Sequence, residues 1–140
     1  MSEVQPAADL RLATRAFRTP TIAMSVAQLA SGFVPLIAIY AAMYTGLMLG
    51  VSYWALGGLS LLAGVFIVRI FIFQHDCGHG SFFRDSAANR WVGMACSLIT
   101  LTPYENWRRQ HAGHHMHWND LDNRNSGSDI YSTCLTVKEF

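Results

Sequence analysis

Residues 19–68 read TPTIAMSVAQLASGFVPLIAIYAAMYTGLMLGVSYWALGGLSLLAGVFIV, 50 consecutive positions between Arg18 and Arg69 without an Asp, Glu, Lys or Arg. A helix needs about 20 apolar residues to cross a bilayer, so this stretch is too long for one crossing and long enough for two joined by a tight turn. Gly46, Gly50 and Ser52 mark that turn. A turn there predicts a first span near residues 29–49 and a second near residues 54–73, with Tyr44, Tyr53 and Trp54 as interfacial anchors. A buried helical hairpin in the core of a soluble protein competes with this reading, but such helices usually carry a polar face.

Composition points the same way. Of 140 residues, 51% are hydrophobic and 14% charged, against about 25% charged in a typical soluble domain, which excludes disorder and disfavours a soluble monomer. A formal net charge of +1 leaves no electrostatic footprint for nucleic acid. Cys77, Cys96 and Cys134 form no C-x-x-C pair, which argues against a disulfide framework and fits a reducing, cytoplasm-facing setting. Arg11, Arg15 and Arg18 precede the first span, so the positive-inside rule puts residues 1–20 in the cytoplasm and two crossings return the chain there. Residues 1–20 lack a signal-peptide core and a small-residue cleavage site, and the first span reads as a retained anchor. Arg69 falls near the cytoplasmic end of the second span, where it can snorkel to the interface.

All six histidines fall between positions 75 and 117, just after the hairpin. His75 and His79 have the H-x-x-x-H spacing that puts two imidazoles on one helix face, so the second span is expected to run on past the bilayer to carry them. Gly78 and Gly80 favour a stop, with residues 81–84 as the exit loop. A helix opening at Asp85 or Ser86 contains the apolar stretch 91–101, too short to cross; it reads as interfacial or partly re-entrant, or as a buried soluble-type helix. Thr102-Pro103-Tyr104-Glu105 has the form of a capping box with Pro at the first helical position. On the helix it would start, His111, His114 and His115 share a face with Trp107 and Tyr104, Gly113 leaves room for close approach, and His117 points elsewhere.

Neutral imidazoles bind Fe, Zn, Cu or Ni, and two helices presenting them at i, i+3 or i+4 can build a metal pocket from rigid parts. Five such groups, His75, His79, His111, His114 and His115, exceed one tetrahedral zinc site and point to a richer centre with room for two metals. Asp76, Glu105, Asn119, Asp120 and Asp122 are candidates to orient ring N–H groups from behind. The expected fold is all-α and integral to the membrane: a transmembrane hairpin followed by cytoplasmic and interfacial helices carrying the histidines.

The stretches His75-Asp76-Cys77-Gly78-His79-Gly80-Ser81-Phe82-Phe83 and His111-Ala112-Gly113-His114-His115 resemble the first two histidine boxes of the membrane fatty acid desaturases. Glu105-Asn106-Trp107-Arg108, residues 119–122, Gly127-Ser128-Asp129-Ile130-Tyr131 and Leu135-Thr136-Val137 are similar to the acyl-lipid branch acting at delta-12 or omega-3 positions, so the resemblance covers roughly residues 50–140. It implies a cytoplasm-facing centre of two non-haem irons that uses O2 and two electrons to remove two hydrogens from adjacent methylenes of an acyl chain. It also implies iron ligation by His75, His79, His111, His114 and His115, an acyl-lipid or other fatty acyl substrate reached from the membrane lipids, and a separate ferredoxin or cytochrome-type electron donor. A bacterial inner membrane is the expected setting, with residues 21–140 forming part of the desaturase domain. The family carries a third box, H-x-x-H-H, and no histidine follows His117. The expectation is therefore a piece of a longer polypeptide, inactive by itself. A related di-iron hydroxylase or ketolase uses similar boxes and is the alternative enzyme; an inactive truncated membrane protein is the alternative outside catalysis. A zincin-like protease is disfavoured because Asp76 stands where that motif needs Glu.

Overall fold

The computed structural model describes Thr14 and residues 19–116, in which helices α1 (Ile22–Met48), α2 (Tyr53–Gly78), α3 (Ser86–Thr100) and α4 (Tyr104–Met116) follow one another with no strand among the described residues. Helix α1 begins seven residues before the expected span. The reason is local: Thr21, just after Pro20, accepts a hydrogen bond from the Met24 N–H at 3.3 Å and so caps the helix early. Pro35 lies inside α1 and withholds one backbone hydrogen bond, a defect that membrane helices tolerate.

The turn between α1 and α2 is a Schellman motif. Gly50 takes a positive φ of 70°, its N–H donates to the Leu47 carbonyl at 3.2 Å, and the Val51 N–H reaches back to the Gly46 carbonyl at 2.9 Å. Ser52 then caps α2. The same motif ends α2, with Gly80 at φ 69°, its N–H on the Cys77 carbonyl at 3.0 Å and the Ser81 N–H on the Asp76 carbonyl at 3.0 Å. Gly80 alone makes this stop. Gly78, expected to share in it, is still helical, and its missing side chain makes room for Trp107: a methyl group there would come within 2.8 Å of the indole.

Helix α2 is central, with α1, α3 and α4 packed against it. A methyl group at Gly32 of α1 would lie 2.6 Å from the Phe73 ring, so the two helices approach closely at this point. Leu36 and Ile39 of α1 and Ala63, Ile70 and Phe73 of α2 are buried, and the Arg69 guanidinium crosses from α2 to the Ser31 hydroxyl at 2.8 Å. Elsewhere the hairpin turns apolar side chains outward, among them Trp54 at 92% and Leu61 at 78% exposed. A soluble core hairpin would be mostly buried, whereas only 22% and 17% of the most apolar windows of α1 and α2 are covered. Both helices are long and apolar enough to cross a membrane.

Asp85 caps α3 by accepting from the Ala88 N–H at 2.7 Å. The buried Asn89 ties down the exit loop, its Oδ1 accepting from the Phe83 N–H at 2.9 Å and its Nδ2 donating to the Phe83 carbonyl at 2.8 Å. At about 1.5 Å per residue, the 15 residues of α3 fall short of a bilayer core about 30 Å thick. One side of α3 buries Asn89, Gly93 and Cys96; Trp91 and Leu98 are exposed. Helix α4 starts one residue later than expected and without a capping box. The Trp107 N–H bonds the Pro103 carbonyl at 2.9 Å, the Thr102 hydroxyl turns back to the Thr100 carbonyl at 3.1 Å, and the Glu105 carboxylate is taken by arginines.

Candidate metal centre

Two helices bring four imidazoles to one point. His75 and His79 lie one turn apart at the end of α2, and His111 and His115 one turn apart on α4, with one ligand nitrogen from each lying within 4.8 Å of all the others. The Nε2 atoms of His79 and His75 are 3.3 Å apart, those of His79 and His111 3.1 Å, and those of His115 and His111 3.0 Å. A metal–nitrogen bond of 2.0–2.1 Å puts neighbouring ligand nitrogens about 2.9 Å apart in an octahedron and about 3.4 Å apart in a tetrahedron. The observed spacings lie in that interval.

Proton placement also fits a cation. The Nδ1–H of His75 donates to Asp76 Oδ1 at 3.1 Å, which leaves its Nε2 lone pair facing the centre. A neutral imidazole nitrogen either donates or accepts, so neutral rings satisfy these contacts only if His79 divides one proton between His75 and His111. A bound cation satisfies all four nitrogens at once. Burial first, and then the neighbouring His75, His115, His79 and His114, push His111 down from 6.5 to about 4; burial and the imidazoles of His75 and His115 also lower His79. Both rings are therefore neutral near pH 7, the form that binds metal.

Packing fixes α4 against α2. Trp107 stacks on His111 with ring centroids 4.7 Å apart and planes 14° from parallel, and its edge meets Phe71 at 5.4 Å. Tyr104 is buried against Gly93, where any methyl group would overlap its ring.

The sequence placed five histidines together; the structure brings four to the centre. The His114 ring lies 6.0 Å from His111 and 5.7 Å from His115, outside the four-nitrogen group. On a helix His115 is rotated about 40° from His111 in one sense and His114 about 60° in the other, so one face cannot present all three equally to α2. Asp76 stands where an orienting carboxylate was expected. Glu105 does not: it pairs with Arg90 at 2.8 Å and Arg108 at 3.2 Å. Slight desolvation of its carboxyl is outweighed by these arginines, which hold it below the usual range. His117, Asn119, Asp120 and Asp122 lie outside the described residues. Cys77 and Cys96 are buried free thiols, and burial pushes Cys96 up to about 11, so both read as packing residues.

Three buried polar residues went unnoticed in the sequence, among them Ser25, whose hydroxyl donates to the Phe82 carbonyl. Asn89 anchors the loop after the first histidine pair, and Gln74 bonds the segment before the second. A polar residue at a helix position otherwise facing apolar neighbours was the available signal for each.

The fold and this cluster define a helical membrane protein with four histidines, placed so that they could hold a metal ion, at the end of an apolar hairpin long enough to cross a bilayer. The fatty acid desaturase family model matches residues 52–130, more than half of the chain, and the chain belongs to that family. It is 38% identical over 125 residues to a fatty acid desaturase of Bacillus subtilis, an alignment covering 89% of this chain and 34% of that protein. It is 37% identical over 62 residues to the sn-1 acyl-lipid omega-3 desaturase (ferredoxin) of Synechocystis, covering 44% and 17% of the two chains. With the sn-1 oleoyl-lipid 12-desaturase of Anabaena variabilis it shares 31% over 97 residues, 64% and 28% of the respective lengths. The chain thus spans about a third or less of the curated relatives it matches. No solved structure matches it.

Proposed function

We propose that this protein takes part in the O2-dependent desaturation of membrane acyl-lipids, with His75, His79, His111 and His115 as iron ligands and His114 serving a second iron. The observation that carries the reading is the convergence of four imidazole nitrogens from two helices beyond an apolar hairpin, in a chain of the desaturase family. Bound iron supplies, with O2, the oxidising power that a methylene C–H bond demands and that no side-chain base offers. Two hydrogens leave the substrate, two electrons and two protons arrive from outside, and O2 ends as two waters. The chain's own part is to hold the ligands, to orient His75 through Asp76, and to keep His79 and His111 neutral. Four imidazoles suit one ion, so further ligands come from outside the described residues; Asn119, Asp120 and Asp122 remain candidates for the surroundings of the centre. The ferredoxin named in the Synechocystis relative favours a ferredoxin as electron donor over a cytochrome-type carrier.

The setting we favour is a bacterial inner membrane, with residues 1–20 and the histidines on the cytoplasmic side and residues 21–140 forming part of a desaturase domain. In a cysteine-free background, a cysteine at Ser81 is expected to react with an impermeant reagent only from the cytoplasm, and one at Val51 only from outside. Labelling of Ser81→Cys in intact cells would overturn that orientation. For the centre, His111→Ala is expected to remove most bound iron at equal expression, because its ring touches the other three. Full iron retention in that variant would sink the ligand assignment.

A further inference from the structure

Gln74 joins one histidine helix to the foot of the other. It is 0% exposed, immediately precedes His75 on α2, and its amide finds its two partners at the last residue of α3 and on the connection to α4. Its Oε1 accepts from the Thr100 hydroxyl at 2.7 Å, and its Nε2 donates to the Thr102 carbonyl at 3.4 Å. These partners bracket Leu101, a non-glycine residue with a positive φ, 53°, at which the chain leaves α3 and turns into α4. The Thr102 hydroxyl closes the corner by donating to the Thr100 carbonyl at 3.1 Å. A buried amide without partners costs about 1–3 kcal/mol, so a corner in this position, which supplies both partners, is favoured.

The lever arm makes the corner matter for the histidines. His111 lies seven residues beyond Tyr104, about 10 Å along the axis. A tilt of about 5° at the foot of α4 therefore moves His111 by nearly 1 Å, roughly twice the tolerance of a metal site. Trp107 and Tyr104 set the spacing of α4 from its neighbours, Trp107 against Gly78 and Tyr104 against Gly93.

We propose that Gln74 is a positioning residue for the histidine centre. Its buried amide sets the departure of α4 from the corner after α3, so that the Nε2 atoms of His111 and His115 meet those of His75 and His79. This rests on the metal reading above. The test uses the full chain in lipid nanodiscs with Co(II) as the probe. It compares the wild type, Gln74→Leu, and the double variant Gln74→Leu/Thr100→Val, which removes the hydroxyl as well and leaves no buried side-chain polar atom unpaired. Cobalt affinity by competition with a chromophoric chelator, the cobalt ligand-field spectrum, and hydrogen exchange of residues 104–116 in the metal-free chain are the readouts. Both variants are expected to keep their helix content, lose about ten- to a hundredfold in cobalt affinity, show an altered ligand-field spectrum and exchange α4 amides faster. The double variant is expected to stay weak in cobalt binding even where its melting temperature returns to that of the wild type, which a purely structural role would not produce. Wild-type affinity and spectrum in the double variant would overturn the proposal. A wild type that binds no cobalt would overturn the metal reading instead. The exchange data then decide the placement of α4: faster exchange in the variants upholds it and unchanged exchange refutes it.

Discussion

The membrane part of α2 and its last two turns are held to their neighbours by different means. Against α1, contact rests on small residues and ring edges, Gly32 beneath Phe73 and Gly46 beneath Leu56, with the Arg69–Ser31 bond as a polar link. In lipid the hydrophobic effect does not drive helices together, so close approach and dispersion must do it. Beyond the span, Gln74, Asn89 and Ser25 are buried and each is hydrogen-bonded, Ser25 to the carbonyl of Phe82 across from α1. Dispersion tolerates sliding, whereas a buried polar group is satisfied in one arrangement only. Imidazole nitrogens about 3 Å apart need the second kind of support.

Gly93→Ala is expected to perturb the α3–α4 side of this contrast most. The new methyl group overlaps the Tyr104 ring and must push α4 outward, costing about 1–3 kcal/mol and weakening metal binding. Gly57→Ala in the membrane part of α2 meets open space and is expected to change stability by less than about 1 kcal/mol, with metal binding intact. Equal effects of the two substitutions on metal affinity would erase the distinction between the regions.

Acid should separate the regions next. His111 has a folded pKa of about 4 against 6.5 when unfolded, so between those values the unfolded chain binds more protons and stability falls as pH falls. The loss begins near pH 6.5 and is complete near pH 4, with the lowered His79 acting in the same sense. Residues 19–68 carry no charged side chain and no histidine. Hydrogen exchange at pH 7 and pH 5, corrected for intrinsic rates, is therefore expected to rise in α4 and to stay level in α1. An α4 indifferent to that change would contradict histidines kept neutral by burial and by the repulsion that protonation would set up among them.

The smallest effect is expected from Glu105→Gln. The Glu105 pairs with Arg90 and Arg108 lie at the surface, where such bridges contribute about 0–1 kcal/mol, and the carboxylate touches no histidine. Metal content is expected to be unchanged. A large drop would return Glu105 to the role that the sequence suggested for it.

The parts of the molecule that depend on local pattern are legible in its residues alone. The uncharged run defines two long helices, Gly50 and Gly80 define their ends, Asp85 starts α3, and the four-residue spacings of His75/His79 and His111/His115 define two paired imidazoles. Each follows from helix period, backbone freedom or transfer from water, all readable within a few residues. Tertiary structure decided what depends on how helices meet. It made Gly78 a seat for Trp107 rather than a stop, turned Glu105 toward Arg90 and Arg108, and left His114 beside the centre instead of in it. It also joined Gln74 to Thr100 and Thr102, 26 and 28 positions away. Helical period tells which side chains share a face, but the rotation of α4 about its axis comes from Tyr104 seating on Gly93 and Trp107 on Gly78, contacts between elements far apart in the chain.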